Sequence, residues 1–231
     1  MSARIPDLLE ALDGPRLSEP APYVRLVTAF ERILYRPMLE SDVGSVPIAC
    51  QGNPDQVRDR IAHLGSSAVL AFDEGQHVGQ LQFRRYEAGT RSPNGVWDPL
   101  YWMDFDDHAP DLPPSTLCVG CYHVGQLHNG ADRDERYQGR GVGARLLDSF
   151  LDWARAGNFE AVIAKAMPPY RPVMGFLGGL PIAAYETRGF ETVTRWVDTD
   201  LALVVRERNL VAALEIEDAS TVTCCVQRLA G

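Results

Sequence analysis

The chain has 231 residues, 45% of them hydrophobic and 23% charged, and its 31 acidic against 22 basic side chains leave a net charge of −9. That composition supports a sizeable core in one large domain, or one domain with appendages, and argues against a nucleic-acid binder, which needs a basic face. No apolar run approaches the roughly 18 residues of a membrane span, and the first residues lead into no signal-peptide core, so a soluble, cytoplasmic protein without membrane partners is expected.

Residues 1–31 read as an N-terminal extension, with a short amphipathic helical pattern over 5–12 that stops at Asp13-Gly14-Pro15. A first strand is expected over 33–37, followed by a short helix from Asp42 that Ser41 would cap and Pro47 would limit. Asn53-Pro54-Asp55-Gln56 is a stronger helix start, combining a cap, an N1 proline and an N3 glutamine; Val57, Ile61 and Leu64 form the inner face and Gly65 ends it. Residues 68–72 are a buried-type strand, Asp73-Glu74-Gly75 turns the chain, and 77–86 alternates Leu81 and Phe83 against Gln80, Gln82 and Arg84 as a hairpin partner. Over about 88–115 the pattern is lost in an insertion where prolines surround Trp97, Tyr101, Trp102, Met103 and Phe105. Long loops of this kind line substrate pockets, make dimer contacts or simply cap a core.

A strand over 117–127 carries Cys118, Cys121 and His123, and a charged loop over 129–136 follows. Next comes Tyr137-Gln138-Gly139-Arg140-Gly141-Val142-Gly143-Ala144, which runs into a helix with Val142, Leu146, Phe150 and Trp153 on one face and Gly157-Asn158 as a left-handed cap. The remainder reads as a strand over 161–167, a glycine-rich connection over 175–179, a short helix over 181–187 and a strand over 191–197. A helix over 200–208, with Leu201, Val204 and Val205 inside, and a last strand over 221–229 complete it. The order is an α/β (α+β) layout with both hairpins and crossovers.

Five cysteines, Cys50, Cys118, Cys121, Cys224 and Cys225, make an odd set without a secretion signal, which argues against a disulfide framework. A zinc site from the last four would need them to converge. In strands, a spacing of three, like adjacency, puts two side chains on opposite faces. The cysteines are therefore expected as small buried apolar groups, and no metal is expected.

A glycine-dense turn that opens a helix presents unpaired N–H groups and the positive end of a helix dipole, which together bind phosphate. Three phosphate loops compete for residues 138–144. The Walker loop is excluded, because no Lys-Ser/Thr pair follows the glycines. The dinucleotide fingerprint is met formally by Gly139, Gly141 and Ala144, but the approach is a charged loop, and residues 162–165 offer no carboxylate for a ribose. The third pattern is Q-x-x-G-x-G, met by Gln138, Gly141 and Gly143.

That third pattern resembles the pyrophosphate loop of the GNAT superfamily of acyl-CoA-dependent N-acyltransferases. A second segment, Tyr185-Glu186-Thr187-Arg188-Gly189-Phe190, is similar to the same family's Y-E-x-x-G-F near the end of its last core helix. The resemblance covers roughly residues 32–231, with 88–115 and 199–219 as additions. It implies a mixed, mostly antiparallel central sheet flanked by helices, with acetyl-CoA as co-substrate and no metal. Backbone N–H groups of Gly139, Gly141, Val142, Gly143 and Ala144, with Gln138 and Arg140, would hold the pyrophosphate. Tyr185 would protonate the departing thiolate, since a phenol of pKa about 10 can serve a thiol of about 8.5. His123, on the strand that should precede the loop, is the first candidate for the base that deprotonates the amine; His128, Glu87, Asp104 and Asp106 are unranked alternatives.

The resulting expectation is an N-acetyltransferase acting on a small-molecule or peptide amine by direct attack in a ternary complex, with a homodimer possible. Two rivals stand beside it: a non-catalytic acyl-CoA sensor and an NAD(P)-binding oxidoreductase. In the family the strand runs almost directly into the loop, whereas here residues 129–136 intervene, so the oxyanion donor among residues 123–128 stays open, and the family's usual Asn before the tyrosine is not evident.

Overall fold

Seven strands form one sheet in a computed structural model that describes residues 32–87, 105–130 and 132–229. They are β1 (Leu34–Pro37), β2 (Ala68–Asp73), β3 (Gln76–Arg85), β4 (Thr116–Val124), β5 (Ala161–Ala166), β6 (Glu191–Val197) and β7 (Thr221–Arg228), in the spatial order β1-β2-β3-β4-β5-β7-β6. Every neighbouring pair is antiparallel except β4 and β5, which are parallel. A parallel pair requires a crossover, and α2 (Val142–Ala156) provides it. The mixed, mostly antiparallel sheet is the expected one.

The periodicity of α2 explains its place. Val142, Leu146, Leu147, Phe150, Leu151 and Ala154 form one buried stripe, and Phe83 of β3 sits with ring centroids 4.8 Å from both Phe150 and Trp153. Each large side chain buried there contributes about 1.5–3 kcal/mol. The capping box of α1 (Pro54–Leu64) forms as read: Asn53 accepts from the Gln56 N–H, Gln56 reaches back to Asn53, and Gly65 closes the helix in the left-handed region. A second apolar layer joins α3 (Arg171–Leu177), α5 (Thr199–Glu207) and α6 (Ile216–Ala219) to the sheet through Val173, Leu177, Leu201, Val205, Ala219, Ile163, Val222 and Cys224. No helix among the described residues is long and apolar enough to cross a membrane.

Several local expectations are corrected. Ser41 caps nothing; a 3-10 turn spans Glu40–Asp42, and the Asp42 carboxylate accepts the Leu39 N–H at 2.7 Å and both Arg36 terminal nitrogens at 2.6 and 2.7 Å. At the end of α2 only Asn158 is left-handed, with φ 56°, while Gly157 has φ −84°. The glycine-rich connection holds the end of α3 (Arg171–Leu177), with Gly175 inside the helix and Gly178 as its stop. The short helix after it is α4 (Ile182–Glu186). The expected helix over 5–12, the aromatics Trp97, Tyr101 and Trp102, and Met103 lie outside the described residues; Phe105 is buried, edge-on to Tyr86 at 6.1 Å.

Candidate active site

β4 and β5 pair only through Thr116–Ala161, Leu117–Val162 and Cys118–Ile163, and then part. Across β4 from this gap, Leu81 faces Tyr122 and Phe83 faces Val119, so Gly120 and Cys121 together stand opposite Gln82. This is a β-bulge, and a Cβ at Gly120 would lie 2.8 Å from the Gln82 carbonyl oxygen. The extra residue changes the faces. Cys118 and Cys121, expected on opposite sides, share one face and one apolar cluster.

Beyond the bulge the Tyr122 N–H turns into the gap and donates to the Gly178 carbonyl at 2.7 Å, while the Met167 N–H past β5 donates to the Leu180 carbonyl at 2.9 Å. Residues 178–180 thus lie between the two strands as a strap. Gly178 has φ +63°, and a Cβ there would come 2.4 Å from the Tyr122 carbonyl oxygen, so only glycine fits.

The charged segment before the glycine loop is a closed excursion. Gly125, just past β4, donates to the Val78 carbonyl at 2.7 Å, and the returning Asp134 N–H donates to the Gly125 carbonyl at 2.8 Å. The chain re-enters where the strand left it. Asp134 then caps a 3-10 turn, Glu135–Tyr137, and the Tyr137 hydroxyl donates to Asp73 at 2.9 Å. Gln138, Gly139 and Arg140 are exposed, and Gly139 (φ +65°) and Gly141 (φ +80°) turn the chain through the left-handed region into α2. Gly141 is the N-cap, and no side chain accepts from the first turn, so the N–H groups of Val142, Gly143 and Ala144 open outward. A Cβ on Gly143 would meet Leu180 at 3.5 Å and Tyr122 and Val124 at 3.8 Å, which puts the loop against the mouth of the gap. Arg171 adds a second cation: its Nη2 lies 4.0 Å from where a Gly139 Cβ would be. No motif marked Arg171 in the sequence.

The second motif is fastened to the first. Arg188 donates from Nε to Asp148 at 2.6 Å, from Nη2 to the Ala144 carbonyl at 3.3 Å and from Nη1 to the Ala184 carbonyl at 2.7 Å. Tyr185 is 1% exposed, stands edge-on to Phe190 at 5.2 Å, and its hydroxyl donates to the Tyr122 hydroxyl at 3.4 Å. Burial, then the neighbouring Tyr122, keeps the Tyr185 hydroxyl protonated far above the usual tyrosine range.

His123 projects from the other face of β4, so the strand separates the two predicted catalytic side chains. It is 6% exposed; its Nδ1 lies 3.3 Å from Arg133 Nη2, and its buried Nε2 has no hydrogen-bond partner. Because a guanidinium only donates, a neutral ring in this pose carries its proton on Nε2. Beside it, the amides of Gln51, Gln80 and Gln82 form a buried network: Gln51 and Gln82 donate to Gln80 at 3.1 and 3.2 Å, and Gln80 donates to the Pro47 carbonyl at 2.7 Å. Of the other base candidates, His128 and Glu87 are exposed and Asp104 lies outside the described residues.

The cysteines are buried as expected, apart from the half-buried Cys50. Among the described residues one group has metal-ligand proximity, and it is not the imagined four-thiolate set: the donor atoms of Cys50, Cys121 and His123 lie within 4.8 Å of one another.

Residues 46–190 match the model of the family described as Acetyltransferase (GNAT) family. No curated protein matches the chain. Among solved structures, the chain is similar to Ard1 from Thermoplasma volcanium (16% identity, 87% of this chain and 99% of that one, TM-score 0.45). It is similar also to an N-acetyltransferase from Staphylococcus aureus Mu50 (10% identity, 86% and 99%, TM-score 0.48). A third is a GNAT superfamily phosphinothricin acetyltransferase from Sinorhizobium meliloti in complex with AcCoA (13% identity, 86% and 89%, TM-score 0.47).

Proposed function

We propose that this chain, which belongs to the GNAT acetyltransferase family, moves an acetyl group from acetyl-CoA to a primary amine by direct attack in a ternary complex. One observation carries the reading: the outward-opening N–H groups of residues 142–144 stand at the mouth of the gap where β4 and β5 part, with the Tyr122 N–H turned into that gap.

In this reading the loop amides take the pyrophosphate, with Arg140 and Arg171 adding charge beside them. Bound acetyl-CoA supplies an activated acyl thioester. Tyr122 N–H is the amide suited to the developing oxyanion, one residue short of the window left open in the sequence, and it must first let go of the Gly178 carbonyl. Tyr185, held protonated by burial, gives its proton to the leaving thiolate. His123 accepts the amine's proton through Nδ1 once Arg133 yields that lone pair. The net charge of −9 suits a cationic acceptor. A dinucleotide-binding oxidoreductase fits less well, because its sheet is mostly parallel and here one pair alone is.

The test is a thiol-release screen of small amines, polyamines and peptide N-termini, with Tyr185→Phe as control and thermal shifts with acetyl-CoA, NAD and NADP in parallel. Acetyl-CoA is expected to stabilise the protein, at least one amine to release thiol, and Tyr185→Phe to turn over about 10²-fold more slowly or worse. Stabilisation by acetyl-CoA with no thiol released by any amine supports the sensor instead. Full turnover by Tyr185→Phe across about pH 6 to 9 refutes the acid assignment.

A further inference from the structure

We propose that Cys50 and Cys121 form a hydroperoxide-oxidisable thiol pair, with Cys50 as the attacking sulfur and Cys121 as the resolving one. The inference stands on side-chain placement and is independent of the acetyl-transfer reading. Cys50 lies in a 3-10 turn, Ala49–Gln51, far from Cys121 in the chain, yet the two Sγ atoms and a His123 ring nitrogen are mutually within 4.8 Å. Cys50 is half-buried, whereas Cys121 is 5% exposed and meets Cys50 from inside.

The surroundings agree in sign. The nine-tenths-buried His123 leaves Nε2 unpartnered, and Arg133, 3.3 Å from Nδ1, fixes the tautomer that puts a proton on Nε2. A guanidinium and a neighbouring S–H together suit an anionic sulfur. The Cys121 thiol, then His123 and Arg133, outweigh burial and bring Cys50 down to about 5, while the Cys50 neighbour and burial push Cys121 up. Cys224 and Cys225 are pushed up by burial and stay protonated. The same Arg133 contact competes with a metal for the Nδ1 lone pair of this trio's imidazole.

The chemistry balances in two steps. The Cys50 thiolate attacks the distal oxygen of a hydroperoxide, the O–O bond breaks, and sulfenic acid forms with release of hydroxide or alkoxide. Cys121 then attacks the Cys50 sulfur, the S–O bond breaks, and water leaves with the thiol proton; a small thiol reverses the disulfide by exchange. The bond would tie the turn before α1 to the bulge of β4, next to Tyr122 and His123.

The test counts thiols in the intact protein. After one equivalent of hydrogen peroxide, five titratable thiols under denaturing conditions should become three, two having gone into one disulfide, with a mass loss of two hydrogens that a small thiol restores. Peptide mapping should join Cys50 to Cys121. Cys121→Ser should stop at a sulfenic acid on Cys50 that a 1,3-diketone traps, and Cys50→Ser should keep its remaining thiols. Five thiols persisting in the unaltered protein overturns the proposal, as does equal oxidation of Cys50→Ser. So does a stoichiometric divalent metal in the isolated protein whose chelation exposes these two thiols.

Discussion

The Tyr122 amide lies 2.7 Å from the Gly178 carbonyl oxygen, a hydrogen bond that ties β4 to the strap filling its gap with β5. In the proposed reaction a substrate carbonyl entering that gap would compete for this donor, which would make substrate binding and strap release one equilibrium. A methyl at Gly178 would sit 2.4 Å from the Tyr122 carbonyl oxygen, a clash that belongs to the strapped state, at a φ of +63° that itself disfavours a side chain at the end of α3. Gly178→Ala is therefore expected to lower the stability of the free protein by about 1–3 kcal/mol. By linkage it should tighten acetyl-CoA binding, read by calorimetry. Unchanged stability together with unchanged affinity contradicts the strap.

Gly141 tests the loop separately. It caps α2 at φ +80°, and no atom lies within 4 Å of a Cβ placed there, so the obstacle to a side chain is conformational. In Gly141→Val, a β-branched residue resists that region by about 1–2 kcal/mol and turns the neighbouring amides away. The expected result is a KM for acetyl-CoA raised about tenfold or more, with kcat less affected. A variant whose kcat falls while its KM stays constant would place the loop away from the nucleotide.

What was legible in the sequence is what local chemistry determines. The α1 cap needs residues three apart, the α2 stripe follows the helical period, and the glycines at 139 and 141 mark the left-handed turn that opens α2. The bulge of β4 is different: nothing in Gly120 or Cys121 announces that both will oppose one glutamine, yet that count decides which face every later side chain of the strand takes. For the same reason the strap, the Arg171 overhang and the meeting of Cys50 with Cys121 were invisible. Each depends on segments brought together by sheet order rather than by spacing.

Lys165, expected as part of an apolar strand, is 5% exposed and bonded to Asp198 at 2.5 Å, with its ammonium 5.5 Å from the centre of the Trp196 ring. Asp198 also accepts the Leu201 N–H at 2.9 Å as the cap of α5. Asp198→Ala leaves a buried cation without its counter-ion and a helix without its cap. A loss of about 3–5 kcal/mol is expected by chemical denaturation. Asp198→Asn keeps the cap and should recover about 1 kcal/mol of it. Replacing both residues, Lys165→Met with Asp198→Asn, should be less damaging than Asp198→Ala alone, because the uncompensated charge is gone.

His77 sets an acid limit on the fold. It is 6% exposed, with Nδ1 3.1 Å from the Gln126 carbonyl, and burial foremost brings its pKa down to about 4 against an unfolded value near 6.5. The folded state therefore favours the neutral ring. As pH falls, the unfolded chain takes up the proton first, so the contribution is complete above about 6.5 and is lost between there and about 4. Going from pH 7 to about 4.5 should cost about 2–3 kcal/mol from this residue. Asp42 acts in a lower window: burial opposes its ionisation, but the Arg36 and Leu39 hydrogen bonds outweigh that and hold it below the usual carboxylate range. His77→Asn retains a side-chain N–H donor and removes the titration. Its urea midpoint should be nearly level over the interval in which the parent protein's declines. If the two decline in parallel, the loss belongs to other groups and His77 is not the acid limit.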